Sequence, residues 1–181
     1  MFGSLAAKAG EFPNVHIFSQ NIKGNLRPFL IQSLLATATI LVILLFLDVL
    51  THTAIIACLG SSAFLIFTRP RAYAARPRPF IGGYLVSMVI GVFYSYATHL
   101  PDALQLPVSA ATVFVVFSAM AVGGAIFIMV ITDTEHPPAA GLALGLVLNS
   151  WDYRTLAFIL GAVLLMAMLR HLLRNYMIDV V

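Results

Sequence analysis

Six apolar runs, nearly free of charge, limit what this chain can become. They are Pro28–Leu47, Ala54–Thr68, Pro79–Thr98, Leu106–Thr132, Pro137–Leu148 and Thr155–Leu173, in the order long, short, long, long, short, long. A run of roughly 20 apolar residues is long enough to cross a hydrocarbon core about 30 Å thick. A water-soluble fold would need far more polar surface than this chain holds: only 9% of its residues are charged and 61% are hydrophobic, against about 25% charged in soluble domains. The reading is therefore an all-α integral membrane protein.

Charge decides how many runs cross. Arg69, Arg71, Arg76 and Arg78 share one connection with no acid. Lys8, Lys23 and Arg27 precede the first run, and Arg170 and Arg174 close the last. By the positive-inside bias all three regions belong on the cytoplasmic side, and the connections 48–53 and 99–107, which lack Lys and Arg, belong outside. Only six crossings satisfy this, with both termini cytoplasmic in a bacterial-type inner membrane. Three crossings per half is an odd number. The expectation is two inverted three-segment repeats, about 28–98 and 106–173, each with a short broken middle helix. Thirty-three positions separate Pro28 from Ser61, and 30 separate Val108 from Pro138. Residues 1–27 form an N-terminal cytoplasmic or interfacial segment, with a weak surface-helix pattern over 15–26, 28–174 a single transmembrane domain, and 175–181 a tail. No cleavable signal peptide is expected, because Met1–Arg27 has no early apolar stretch.

The short runs carry the candidate chemistry. T-D-T-E-H-P-P-A-A-G at residues 132–141 puts Asp133, Glu135 and His136 between two uncharged stretches. Pro137 and Pro138 cannot continue a preceding helix and suit the first turn of a new one. Thr134, His136 and Ala139 then surround a helix start. In the other half, Gly60 loosens the backbone, and Ser61 or Ser62 can cap a second half-helix from Ala63. Two helix starts facing one cavity would bind a small anion through free N–H groups and the helix dipole. The alternative for Gly60-Ser61-Ser62 is close helix packing, and for the prolines a plain kink. Asp133, Glu135 and His136 are candidates for proton coupling or gating. Equally, the acids could simply meet water, and His136 could lock the turn. Tyr73, Trp151 and Tyr153 read as interfacial aromatics, and the four-arginine connection as a topology anchor at the lipid headgroups.

Several classes are disfavoured. The single cysteine, Cys58, forbids an intrachain disulfide. His16, His52, His99 and His171 are too scattered for a metal site, and no cofactor is expected. A nucleic-acid partner is not needed to explain a net charge of +3. An enzyme would need more than His136 beside Glu135.

The residues also resemble a known family. Thr134-Glu135-His136-Pro137-Pro138-Ala139-Ala140-Gly141 is similar to the signature of the HPP family of small integral membrane proteins. So is Gly60-Ser61-Ser62-Ala63, followed by Phe67, Pro70, Arg76-Pro77-Arg78 and Ile81-Gly82-Gly83. The resemblance covers roughly residues 25–174 and implies nitrite transport, a role attributed to plastid and cyanobacterial members. That family is usually described with four spans, fewer than the six counted here. Some relatives add a nucleotide-binding regulatory domain, which is not expected after Val181. The expected function is a transporter for a small inorganic anion. A channel, or a structural subunit of a membrane complex, stands as the alternative. A chain this small is expected to self-associate, with exposed glycine pairs as contacts.

Overall fold

The computed structural model describes residues 26–46 and 53–179. The surface-helix pattern over 15–26 falls almost wholly outside them, as does most of the connection at 48–53. All the long elements are helices: α1 (Leu26–Phe46), α2 (Thr53–Thr68), α3 (Pro77–Ala97), the single turn α4 (Leu100–Ala103), α5 (Ala110–Ile131), α6 (Pro137–Leu148) and α7 (Tyr153–Leu173). A 3-10 turn, Tyr73–Ala75, sits in the arginine connection. Pro77 opens α3. The Ser109 hydroxyl accepts from Thr112 N–H at the start of α5, and the Asp152 carboxylate from Thr155 N–H at the start of α7. Both are N-caps.

Long-range hydrogen bonds sort the helix ends into two levels. At one end Gln32 Nε2 donates to the carbonyls of Phe67 and Ile178. Arg170 donates to the Pro70 carbonyl, and Tyr73 Oη to Asp133. At the other end Trp151 Nε1 donates to Ser95 Oγ at 2.9 Å. Every one of the six longer helices runs between these ends, so neither short run turns back on itself. Helices α3 and α6 are parallel, and α2 and α5 antiparallel to them. The two halves thus start in opposite senses. Their packing is unequal, though: α3 lies along α5 and α6, while α7 makes much smaller contacts with α2 and α3.

The short α6 is the centre of the bundle, packed by α2, α3 and α5. Its surface is small enough to allow that. A Cβ on Gly145 would sit 2.9 Å from Ile55 Cγ1, and one on Gly141 3.1 Å from Cys58 Cβ. On the facing side of α3, a Cβ on Gly91 would lie 2.9 Å from Ala143 Cα. Small residues let helix backbones approach where no hydrophobic drive separates protein from lipid.

Two sequence expectations are corrected. Helix α2 is continuous from Thr53 to Thr68, with no break at Gly60-Ser61-Ser62. Gly60 and the serines cost too little helix propensity to interrupt a packed helix, and Ser61 Oγ donates to the Ala57 carbonyl one turn back. Second, Gly82 and Gly83 are not a free contact surface. A Cβ on Gly82 would meet Thr134 Cγ2 at 2.6 Å, and one on Gly83 would meet the Thr134 carbonyl oxygen at 2.9 Å. The pair opens a groove in α3 that receives residues 134–136.

Among the described residues three helices are long and apolar enough to cross a membrane by length and composition: α3 with its extension to Ala103, α5 and α7. The apolar stretch Leu30–Leu45, α2 and α6 are shorter. With 12 residues, α6 is roughly 18 Å long at about 1.5 Å per residue. Of its non-helical approach, His136 is buried and Thr134 half-buried, while Thr132, Asp133 and Glu135 are exposed.

Candidate functional site

The approach to α6 is set by local chemistry. Helix α5 ends at Ile131, and Asp133 takes a left-handed conformation with φ 56°, reversing the chain. Asp tolerates this region better than most residues. Thr134 N–H then donates to the Met129 carbonyl, and Thr134 Oγ1 lies 2.8 Å from Thr132 Oγ1. His136 follows in extended conformation, φ −134° and ψ 90°, and α6 starts at Pro137. This lays residues 134–136 into the groove of Gly82 and Gly83, about one turn inside α3.

His136 is completely buried and bonded on both sides of its ring. Nδ1 lies 2.7 Å from the Ala74 carbonyl oxygen, and Nε2 lies 2.8 Å from Ser62 Oγ. A carbonyl can only accept, so Nδ1 carries a hydrogen. Ser62 Oγ is in turn 2.7 Å from Tyr84 Oη, and Tyr84 Oη is 3.1 Å from the Cys58 carbonyl oxygen. Ser62 and Tyr84 are also fully buried. Phe80 stacks edge-on against both the His136 ring and the Tyr84 ring, at centroid distances of 4.9 and 5.5 Å. One polar chain, Ala74–His136–Ser62–Tyr84–Cys58, therefore ties the arginine connection to α6, α2 and α3. Buried polar groups left unpaired would cost about 1–3 kcal/mol each, so the chain has a strong preference for this closed arrangement.

Above it lies a surface lid. Ala75 is buried, and the Ala74 carbonyl points at His136. Tyr73 Oη donates to Asp133 Oδ1 at 2.6 Å and also approaches the Asp133 carbonyl oxygen. Arg78 Nη1 stands 3.5 Å from Asp133 Oδ2, with both side chains largely exposed, so this pair adds little stability by itself. The hydrogen bond to Asp133 holds the Tyr73 phenol above its ordinary pKa. Glu135 is exposed and shares with His136 an apolar cleft of about 270 Å³ between α5 and α6.

The expected anion site is not what these residues form. The first two helical residues of α6 are prolines without an N–H, and Ala139 N–H already donates to the His136 carbonyl. The donors that would face an anion are thus gone or used. Since α2 has no internal start, it supplies no second set. Gly60 faces open space beside α1, and Ser61 is exposed and bonded to its own helix. Ala63 and Ala139 are core residues. Pro137 is exposed and Pro138 half-buried. Of the sequence candidates, Ser62 and His136 are brought into contact; Asp133 joins the lid, and Thr134 lines the groove. Tyr84 was not among them. Its only signal was a phenol one residue beyond Gly82-Gly83 in an otherwise uncharged run. Among the described residues no group of three His, Cys, Asp or Glu side chains converges.

Fold and site define the class: a helical integral membrane protein whose short central helix begins at a buried, hydrogen-bonded histidine. A family model described as "HPP, transmembrane region" matches residues 21–177, and the chain belongs to the HPP family. No curated protein and no solved structure matches it.

Proposed function

We propose that the chain is a membrane transporter for a small inorganic anion, with nitrite the first candidate and Ser62, Tyr84 and His136 the polar groups that meet it. The observation that supports this is the fully buried Ser62–Tyr84–His136 contact, drawn from both halves of the chain. Polar and ionisable groups in a membrane bundle are functional by default. Family membership is consistent with membrane transport in general, and the resemblance in its motifs implies nitrite. The hydroxyls of Ser62 and Tyr84 are neutral donors suited to a weakly hydrated anion; here they satisfy each other and the imidazole. A rocking of α6 and its neighbours against α2 and α3 would free them towards a solute. The arginine-rich end is taken as cytoplasmic, in a bacterial-type inner membrane. Self-association would use the lipid-facing side of α5, where Gly123 has open space beside it.

The test is flux into proteoliposomes of the purified chain with nitrite, nitrate, formate and chloride. Saturable nitrite entry, lowered roughly tenfold or more by Ser62→Ala through loss of one donor, is expected. Entry of none of the four above empty liposomes would overturn the reading.

A further inference from the structure

The two ring nitrogens of His136 face two different compartments of the protein. Nδ1 faces the lid through the Ala74 carbonyl, and Nε2 faces the interior through Ser62 and Tyr84. The lid is tied to the α5–α6 turn by Tyr73 on Asp133, which Arg78 of α3 also approaches, and to α7 by Arg170 on the Pro70 carbonyl. On the interior side Ser87 lies one turn beyond Tyr84 on α3, is fully buried, and its hydroxyl has no partner. Ser95, two turns further, reaches Trp151 at the opposite end. We propose that His136 is a two-sided proton-binding site, exchanging protons with the interior through Ser62 and Tyr84 while the lid is closed, and with the arginine-rich side through Nδ1 when the lid opens; this rests on the transport reading and makes the proton the ion coupled to the solute.

The hydrogen count closes. In the neutral state Nδ1–H donates to Ala74, Ser62 O–H donates to Nε2, and Tyr84 O–H donates to Ser62. A proton reaching Tyr84 Oη displaces the phenol hydrogen to Ser62, and the Ser62 hydrogen to Nε2. The imidazolium then donates to both Ala74 and Ser62, Ser62 donates to Tyr84, and Tyr84 donates to the Cys58 carbonyl at 3.1 Å. Each oxygen keeps one hydrogen and the ring gains one. The Cys58 carbonyl gives the reversed chain its terminal acceptor. Opening the lid lets the Nδ1 proton leave to water; water admitted there then takes the Nε2 hydrogen and returns one to Nδ1, and with Nε2 bare again rotation of the hydroxyls restores the starting chain.

The groups around the ring are uncharged: Ser62 and, behind Tyr84, Cys58 from α2; Phe80 and Tyr84 from α3; the Ala74 carbonyl from the lid; and Met129 from α5. Charged and titratable groups at the same end include Arg78, Asp133, Glu135, Arg76 and Tyr73, with Arg71, Arg170 and Asp179 further off, and of these Glu135 lines the cleft beside the ring. None supplies a fixed counter-charge in contact with His136, so a proton arriving there must be balanced by something else. An accompanying anion fits that need.

Two measurements on the full chain decide it. In lipid bilayers, ¹⁵N-histidine NMR with His136→Asn for assignment should show the proton on Nδ1 and a bare Nε2 that shifts in Ser62→Ala. A ring carrying its proton on Nε2, or blind to Ser62→Ala, overturns the proposal. In proteoliposomes with a trapped pH dye, anion entry should carry protons, and His136→Asn should lower proton movement roughly tenfold. Tyr84→Phe, which keeps the ring against Phe80, gives the same reading should His136→Asn not fold. Anion entry without proton movement would defeat the proton site and leave transport standing. If no anion enters, transport falls, while proton leak under an imposed pH difference that His136→Asn abolishes would still support the site; leak unchanged by His136→Asn would remove it.

Discussion

The middle of α2 and the start of α6 both carry small residues in a run too short for an ordinary span, yet only one interrupts a helix. At α6 two prolines remove backbone donors and fix φ, and a left-handed Asp133 has already turned the chain. At α2 a glycine and two serines weaken the helix by about 1 kcal/mol or less each, which packing overrides. The two regions still meet: Ser62 on the unbroken helix supplies the hydroxyl that holds His136 at the broken one. The lesson is that a helix start at depth need not be an ion site. Here the prolines that create the start also strip its donors, and a side chain on a neighbouring helix takes over the polar role.

Substitutions can break or sharpen this contrast. The largest effect is expected from Gly83→Ala, whose new Cβ would press on the Thr134 carbonyl at 2.9 Å and on His136 Cβ at 2.8 Å. It should destabilise by about 1–3 kcal/mol, read as a lower thermal unfolding midpoint in detergent. Ser62→Ala should come next, at roughly 1–3 kcal/mol at most, because Nε2 loses its hydrogen-bond partner inside the protein. Gly60→Ala should go the other way. No atom lies within 4 Å of a Cβ there, so the unbroken α2 should gain about 0.5–1 kcal/mol. A loss of stability would mean that α2 does bend at Gly60. Ser61→Ala should be nearly silent, within about 0.5 kcal/mol, since its hydroxyl only returns to its own helix.

Much of the fold was legible because its signals are local. The start of α6 at Pro137 and its end at Leu148 follow from the prolines and from Asn149, whose side chain bonds back to Gly145. Helix α5 starts later than its apolar run, at Ala110 rather than Leu106, because Pro107 and the Ser109 cap set the boundary. Arginine bias separates a reading of six crossings from one of four, and the six longer helices, aligned at their ends by hydrogen bonds, fit that count of segments. The site was legible only in part. His136 and Ser62 were visible as polar residues in apolar runs. Their contact spans 74 positions and depends on the fold-back of residues 134–136 into the Gly82-Gly83 groove. Tyr84 carries no charge to mark it, and the Ala74 carbonyl is chemically the same as every other carbonyl in the chain. Ser61 and Ser62, either of which suits a cap by sequence, are told apart only by the unbroken helix: adjacent residues there point about 100° apart, and Ser62 faces the core while Ser61 is exposed.

That adjacency supplies the most direct test of the account. Nitrite flux should be measured in proteoliposomes for the wild type, Ser61→Ala and Ser62→Ala at matched protein content. Ser61→Ala should transport as the wild type does, and Ser62→Ala should fall roughly tenfold or more. Equal losses in both, or none in Ser62→Ala, would contradict the assignment of function to the Ser62–His136–Tyr84 contact.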